Sequence, residues 1–175
     1  MHRKSFLAGI ILAVGCFIAM SVAMPSAAYA QKDPRVAKSM KDLIDATAKL
    51  GAPKVEGKEA VGGTDAPALY FGSTKINNNF TVVDQVAKDG GAGMTATLFV
   101  RSGDDFIRVA TNVPKPDGSR AIGTKLDSKA LDNIRKGEAF YGEVPLQGSQ
   151  YITGYEPIKI GNNVIGIYYV GFKKQ

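Results

Sequence analysis

Apolar positions are distributed along the 175 residues in three different ways, and each predicts a different kind of element. Phe6 to Met24 is apolar throughout and carries no charge. Between Val36 and Leu50 the pattern changes to helical spacing, with Val36, Met40, Leu43, Ile44, Thr47 and Leu50 on one stripe. Asp33 and Pro34 supply an N-cap followed by proline at the first helical position, and Gly51 ends the run. From Met94 to Phe172 the apolar residues come in short runs broken by turns, which reads as four or five strands: Met94 to Arg101, Phe106 to Asn112, Arg120 to Thr124, Tyr151 to Ile158 and Val164 to Gly171.

The remaining stretches are read by their breakers. Ala52 to Ala68 is rich in Gly, Pro, Lys and Glu without clear periodicity and is expected to be a loop inside the domain. Leu69 to Gly72 is a short strand candidate, and Ile76 to Phe80 a turn leading to another extended piece. Val82 to Lys88 predicts a helix stopping at Gly90 and Gly91, and Asp127 to Lys136 a helix ended by Gly137. Strands at short spacing, with helices before and between them, define an α+β class: an antiparallel sheet with helices on one face.

The apolar N-terminus is an address rather than part of this fold. Arg3 and Lys4 precede the apolar run, and Pro25 precedes Ala28-Tyr29-Ala30, the small-x-small pattern of a secretory signal peptide cleaved before Gln31. The rival is an uncleaved anchor over residues 6–24, since the run approaches the roughly 20 residues that cross a bilayer. Cys16 superficially suggests lipidation, but Phe17 to Met20 continue the apolar run. The expected organisation is a signal peptide over residues 1–30 and one domain over residues 31–175, exported to the periplasm.

Losing that segment removes His2 and Cys16, the only histidine and the only cysteine of the chain. The mature domain then has no Cys/His or Ser/His/Asp nucleophile system, no His- or Cys-ligated zinc, no c-type haem attachment and no disulfide. No cofactor is expected. An enzyme is disfavoured, although Asp, Glu, Lys and Tyr still allow acid-base chemistry. Without Arg3 and Lys4 the count is 20 basic against 16 acidic residues, scattered without a run of like charge, so nucleic acid is not indicated.

Two segments carry candidate binding chemistry. If residues 106–112 form a strand, simple alternation puts Phe106, Arg108, Ala110 and Asn112 on one face and Ile107, Val109 and Thr111 on the other. A guanidinium in the middle of such a strand needs a partner, because burying it unpaired is costly, and its planar fork suits a carboxylate. That partner is either a ligand anion or an internal acid such as Glu143 or Glu156. Tyr151, Thr153 and Tyr155 share one face of their strand and would give a mostly apolar pocket convergent hydroxyls. The alternative is that the tyrosines pack over the core with their hydroxyls at the surface. Gly90-Gly-Ala-Gly93 is a turn and not a phosphate loop, and Ser102 to Asp105 a hairpin turn and not a calcium site.

Taken together, Ala96 to Arg101, Phe106 to Val113, Arg120 to Thr124, Gly137 to Gly142, Tyr151 to Ile158 and Val164 to Gly171 resemble the Cache 3/Cache 2 fusion family of extracytoplasmic sensor domains. The resemblance implies a PAS-like central antiparallel sheet, a long N-terminal helix, and a small-molecule pocket between the sheet and its covering loops. It adds Tyr141, Arg120 and Thr124 to Arg108, Tyr151, Thr153 and Tyr155 as expected ligand-binding residues, and inclines Arg108 toward a small organic anion. The sequence ends four residues after Gly171. The expectation is therefore a binding module without its own output module, paired with a membrane receptor or sensor kinase. The competing expectation is an exported protein-interaction or envelope-associated module with no small ligand.

Overall fold

A computed structural model describes residues 32–175, so the expected signal peptide and its cleavage site lie outside the described residues. Helix α1 (Pro34–Ala48) forms as its pattern predicts. The Asp33 carboxylate accepts from the Arg35 backbone N–H at 2.8 Å, and Val36, Ser39, Met40, Leu43 and Thr47 are the buried stripe. Helix α2 (Thr81–Gly90) buries Val83 and Val86 and ends where Gly91 takes a positive φ.

Residues 52–68 are not a loop. They form β1 (Pro53–Val61) and enter β2 (Thr64–Phe71), an antiparallel hairpin closed by Gly62 and Gly63, both at positive φ, with β3 (Thr74–Lys75) completing a three-stranded sheet. The pattern hid this strand because β1 is an edge strand exposed along most of its length; only Val61 is fully buried, so no alternation is written into its composition. Ile76 to Phe80 leads directly into α2 rather than into an extended piece. Three successive asparagines organise that junction. Asn77 is buried, accepting from Leu69 N and donating to Pro67 O; Asn78, at φ 59°, sends its N–H to Val109 O; Asn79 Oδ1 accepts from Thr81 N at the start of α2.

The main sheet contains β4 (Met94–Ser102), β5 (Asp105–Thr111), β6 (Phe140–Leu146), β7 (Ser149–Ile160) and β8 (Asn163–Lys173) in the order β5-β4-β8-β7-β6, antiparallel throughout. This is the α+β, PAS-like architecture expected. Helices α1 and α2 and strand β2 cover one face around Met40, Leu43, Leu69, Val83, Leu98 and Val170. The other face is covered by the long connection from Val113 to Ala130 and by the five-residue α3 (Leu131–Arg135), around Phe99, Phe106, Leu126, Ile134, Tyr155 and Tyr169. The strand expected over Arg120 to Thr124 is instead part of this connection. Residues 123–126 still hydrogen-bond along the β5 edge: Arg108 N to Thr124 O and Gly123 N to Arg108 O, both 2.9 Å, and Leu126 N to Phe106 O at 2.8 Å. The β5 edge is thereby covered by chain and not left as a row of free backbone groups.

Candidate functional site

The covered face between the sheet and residues 113–135 is where the candidate side chains converge, and a β-bulge decides which ones do. The β4–β5 register shifts between Leu98↔Ala110 and Phe99↔Arg108, so Val109 is an extra residue. Its carbonyl, released from the ladder, accepts from Asn78 N. Simple alternation therefore fails after Arg108. Ala110 turns to the helix side, while Thr111 comes to the Arg108 side and pairs hydroxyl to hydroxyl with Thr97 at 2.6 Å. Asn112 is used on the backbone of β4, accepting from Ala96 N and donating to Met94 O.

Arg108 sits on the covered face with 7% of its surface exposed. Its Nη1 donates to Thr124 Oγ1 at 2.6 Å and to Lys125 O at 3.5 Å, and the guanidinium lies over the Phe99 ring at 4.9 Å. Its Nε is buried without a hydrogen-bond partner, and no described acid pairs with it. Burial pushes the Arg108 pKa down; Tyr155 and Tyr169 are the neighbours that act in the opposite direction. The internal salt bridge weighed as its partner is thus not formed among the described residues. Glu156 is used by Tyr141 and Lys32, and Glu143 by Lys174. Thr124 is held as an acceptor for Arg108 because its own hydroxyl donates to Ala121 O at 2.7 Å.

Tyr155 is buried on the same face, its ring 4.8 Å from that of Tyr169 at a tilt of 52°. Burial raises the pKa of the Tyr155 phenol, with Ser128 and the Arg108 charge opposing in part. Burial also pushes up that of Tyr169, whose hydroxyl meets Thr95 Oγ1 at 3.2 Å. Both phenols therefore stay neutral and able to donate. Tyr151 and Thr153 share the face but lie farther along β7. Tyr151 lines a cavity of about 210 Å³ with Val113, Pro114 and Lys173. The Thr153 hydroxyl donates to Gly142 O at 2.8 Å.

Two expected residues are placed elsewhere. Tyr141 packs on the helix side and donates to Glu156 Oε1, beneath the Lys32 ammonium at 3.9 Å from its ring. Burial, and then Glu156, push its pKa up. It lines a groove of about 480 Å³ at the start of α1 with Lys32, Asp33 and Glu143. Arg120 lies at the sheet edge, where its fork is matched by Asp84. Residues that belong to the Arg108 face but were not singled out are Phe99, Thr95, Tyr169 and Ser128. Alternation along β4 and β8 carried the signal for the first three; Ser128 comes from a connection whose path no periodicity records.

Within the PAS-like fold, then, the covered face holds a buried arginine without a described acid, and neutral hydroxyls, beneath a covering connection. The model of the Cache 3/Cache 2 fusion domain matches residues 21–175, and the chain belongs to that family. Domains of this family are extracytoplasmic sensory modules that bind small molecules and typically signal through membrane receptors; they are not enzymes as a class. No curated protein matches the chain. Among the described residues no helix is long and apolar enough to cross a membrane.

Proposed function

We propose that this domain is a periplasmic, non-catalytic sensor module that takes up a small organic anion on the face carrying Arg108, and that it works with a membrane receptor or sensor kinase. Export by a signal peptide cleaved before Gln31 belongs to the same reading, supported by the Ala28-Tyr29-Ala30 pattern. The observation that carries the ligand assignment is the Arg108 guanidinium: almost fully buried, without an acid, and with Nε unpartnered. A guanidinium in that condition is electrostatically incomplete, and a carboxylate seated against its fork completes it. Tyr155 and Thr124 stand beside it as orienting groups, with Tyr151 and Thr153 farther along the face and Arg120 fixing the covering connection.

The test is calorimetry on the purified mature domain against short organic acids, with thermal shift as the screen. Arg108→Ala should weaken binding by roughly 2–5 kcal/mol, the scale for truncating one side of a buried charge pair. Arg108→Lys should recover only part of this, because the ammonium lacks the fork. An Arg108→Ala domain that binds carboxylates as tightly as the parent refutes the assignment.

A further inference from the structure

We infer that the Arg108 face selects singly charged carboxylates and rejects dicarboxylates of similar length. This deepens the proposed function and rests on that face being the ligand site.

The argument is a count of charges. Among the buried described residues Arg108 is the one charged side chain; the other buried polar residues are Ser39, Thr47, Asn77, Thr95, Thr97, Thr111 and Thr153. Cations at the rim are exposed and directed to other partners: Lys125 to Asp105 at 2.6 Å, Arg135 to Asp104 O at 3.1 Å, Lys129 over the Phe140 ring at 5.7 Å. One carboxylate against Arg108 therefore balances the face. A second would meet Phe99, Phe106, Leu126 and Ile134, or the neutral phenols of Tyr155 and Tyr169. A neutral hydroxyl offsets only part of the desolvation of a full charge, and an unpaired buried charge carries a penalty of several kcal/mol. The matched dianion should bind more weakly by a factor on the order of 100 or more.

The domain also makes pH a clean variable, because its described residues contain no histidine and no other side chain ordinarily titrates between about pH 5 and 7. Propionate, succinate and propionamide are titrated into the parent and into Arg108→Ala by calorimetry at neutral pH and at mildly acidic pH. Propionate should bind the parent with an affinity that falls only as far as its own carboxylate takes up a proton, and propionamide should not bind. Succinate should bind poorly at neutral pH, then gain apparent affinity as its second carboxylate takes up a proton. Succinate binding as tightly as propionate at neutral pH, dependent on Arg108 and flat with pH, overturns the selectivity while leaving the site in place. Absence of all carboxylate binding, or binding indifferent to Arg108→Ala, overturns the site assignment itself and the selectivity with it.

Discussion

Arg120 and Asp84 are joined fork to fork, Nη1 to Oδ1 at 2.6 Å and Nη2 to Oδ2 at 2.9 Å, and the pair crosses the edge of the main sheet. Asp84 belongs to α2 on one face; Arg120 belongs to the connection that covers the other. Arg120 also donates to Thr111 O at the end of β5 and lies 4.4 Å over the Phe80 ring. The connection over Arg108 is thereby fastened to the helix layer by one side chain.

Both members are partly exposed, 35% and 43%, so solvent screening limits what the pair contributes. A double-mutant cycle with Arg120→Ala and Asp84→Ala should return a coupling of about 1 kcal/mol in chemical denaturation, the upper end for exposed pairs because the geometry is bidentate. The coupling should shrink in high salt. Additive single variants would show that the two side chains do not hold the connection.

A second fastening is backbone against backbone. Gly62, in the β1–β2 turn, and Gly123, in the connection, both have positive φ, and each leaves no room for a side chain. A Cβ on Gly123 would stand 2.2 Å from Val61 O, and one on Gly62 2.4 Å from Ile122 O. Gly123→Ala should therefore destabilise by about 1–3 kcal/mol, combining the left-handed backbone with a collision against a carbonyl that sits in a strand. Gly63→Asn is the control, since Gly63 shares the positive φ but has open space around it. Equal melting temperatures for Gly123→Ala and Gly63→Asn would refute the close approach.

Much of this fold was legible because its elements obey one period at a time. Helix α1 announced itself through Asp33, Pro34 and the stripe from Val36 to Leu50, and β4, β7 and β8 through apolar segments ended by turn residues. What escaped depended on partners far along the chain. Strand β1 is exposed along most of its length, so its identity lies in pairing with β2 rather than in its own composition. The bulge at Val109 could not be seen in the alternation it interrupts, and it moved Thr111 and Ala110 to exchanged faces. Arg108 was recognisable as a mid-strand cation. The acid that would have explained it could only be excluded once the surroundings of Glu143, Glu156 and Asp84 were known.

The Asp33 cap makes a prediction in pH. Hydrogen bonds from the Arg35 guanidinium hold the Asp33 carboxyl below its ordinary 3.8; burial opposes them, and the Arg35 backbone N–H adds a smaller lowering. A carboxylate with a depressed folded-state pKa stabilises above its unfolded value and loses that contribution as pH falls through the folded one. Asp33→Ala should thus cost about 1 kcal/mol near neutral pH, as for loss of an N-cap. Its stability curve should converge with that of the parent only below about pH 4. A difference independent of pH down to strong acid would mean that the charge on Asp33 is not what caps α1.

Arg108→Met separates the stability of the domain from the binding role proposed for Arg108. Methionine keeps an unbranched apolar side chain at this buried position but removes a charge that has an unpartnered Nε and no described acid. The losses are the hydrogen bond to Thr124, the longer one to Lys125 O, and a cation–π contact of order 0.5–2 kcal/mol. Thr124 is not orphaned by the change, since its hydroxyl still donates to Ala121 O. Against these stands the desolvation of the guanidinium, several kcal/mol when no partner offsets it. The ligand-free Arg108→Met domain should therefore be more stable than the parent by about 1 kcal/mol or more, and should lack the rise in melting temperature expected of the parent with a saturating carboxylate. Opposite signs in the two measurements are what a cation kept for a ligand produces. If the ligand-free variant is instead less stable than the parent, the guanidinium is a structural member of this face, and its burial has another cause.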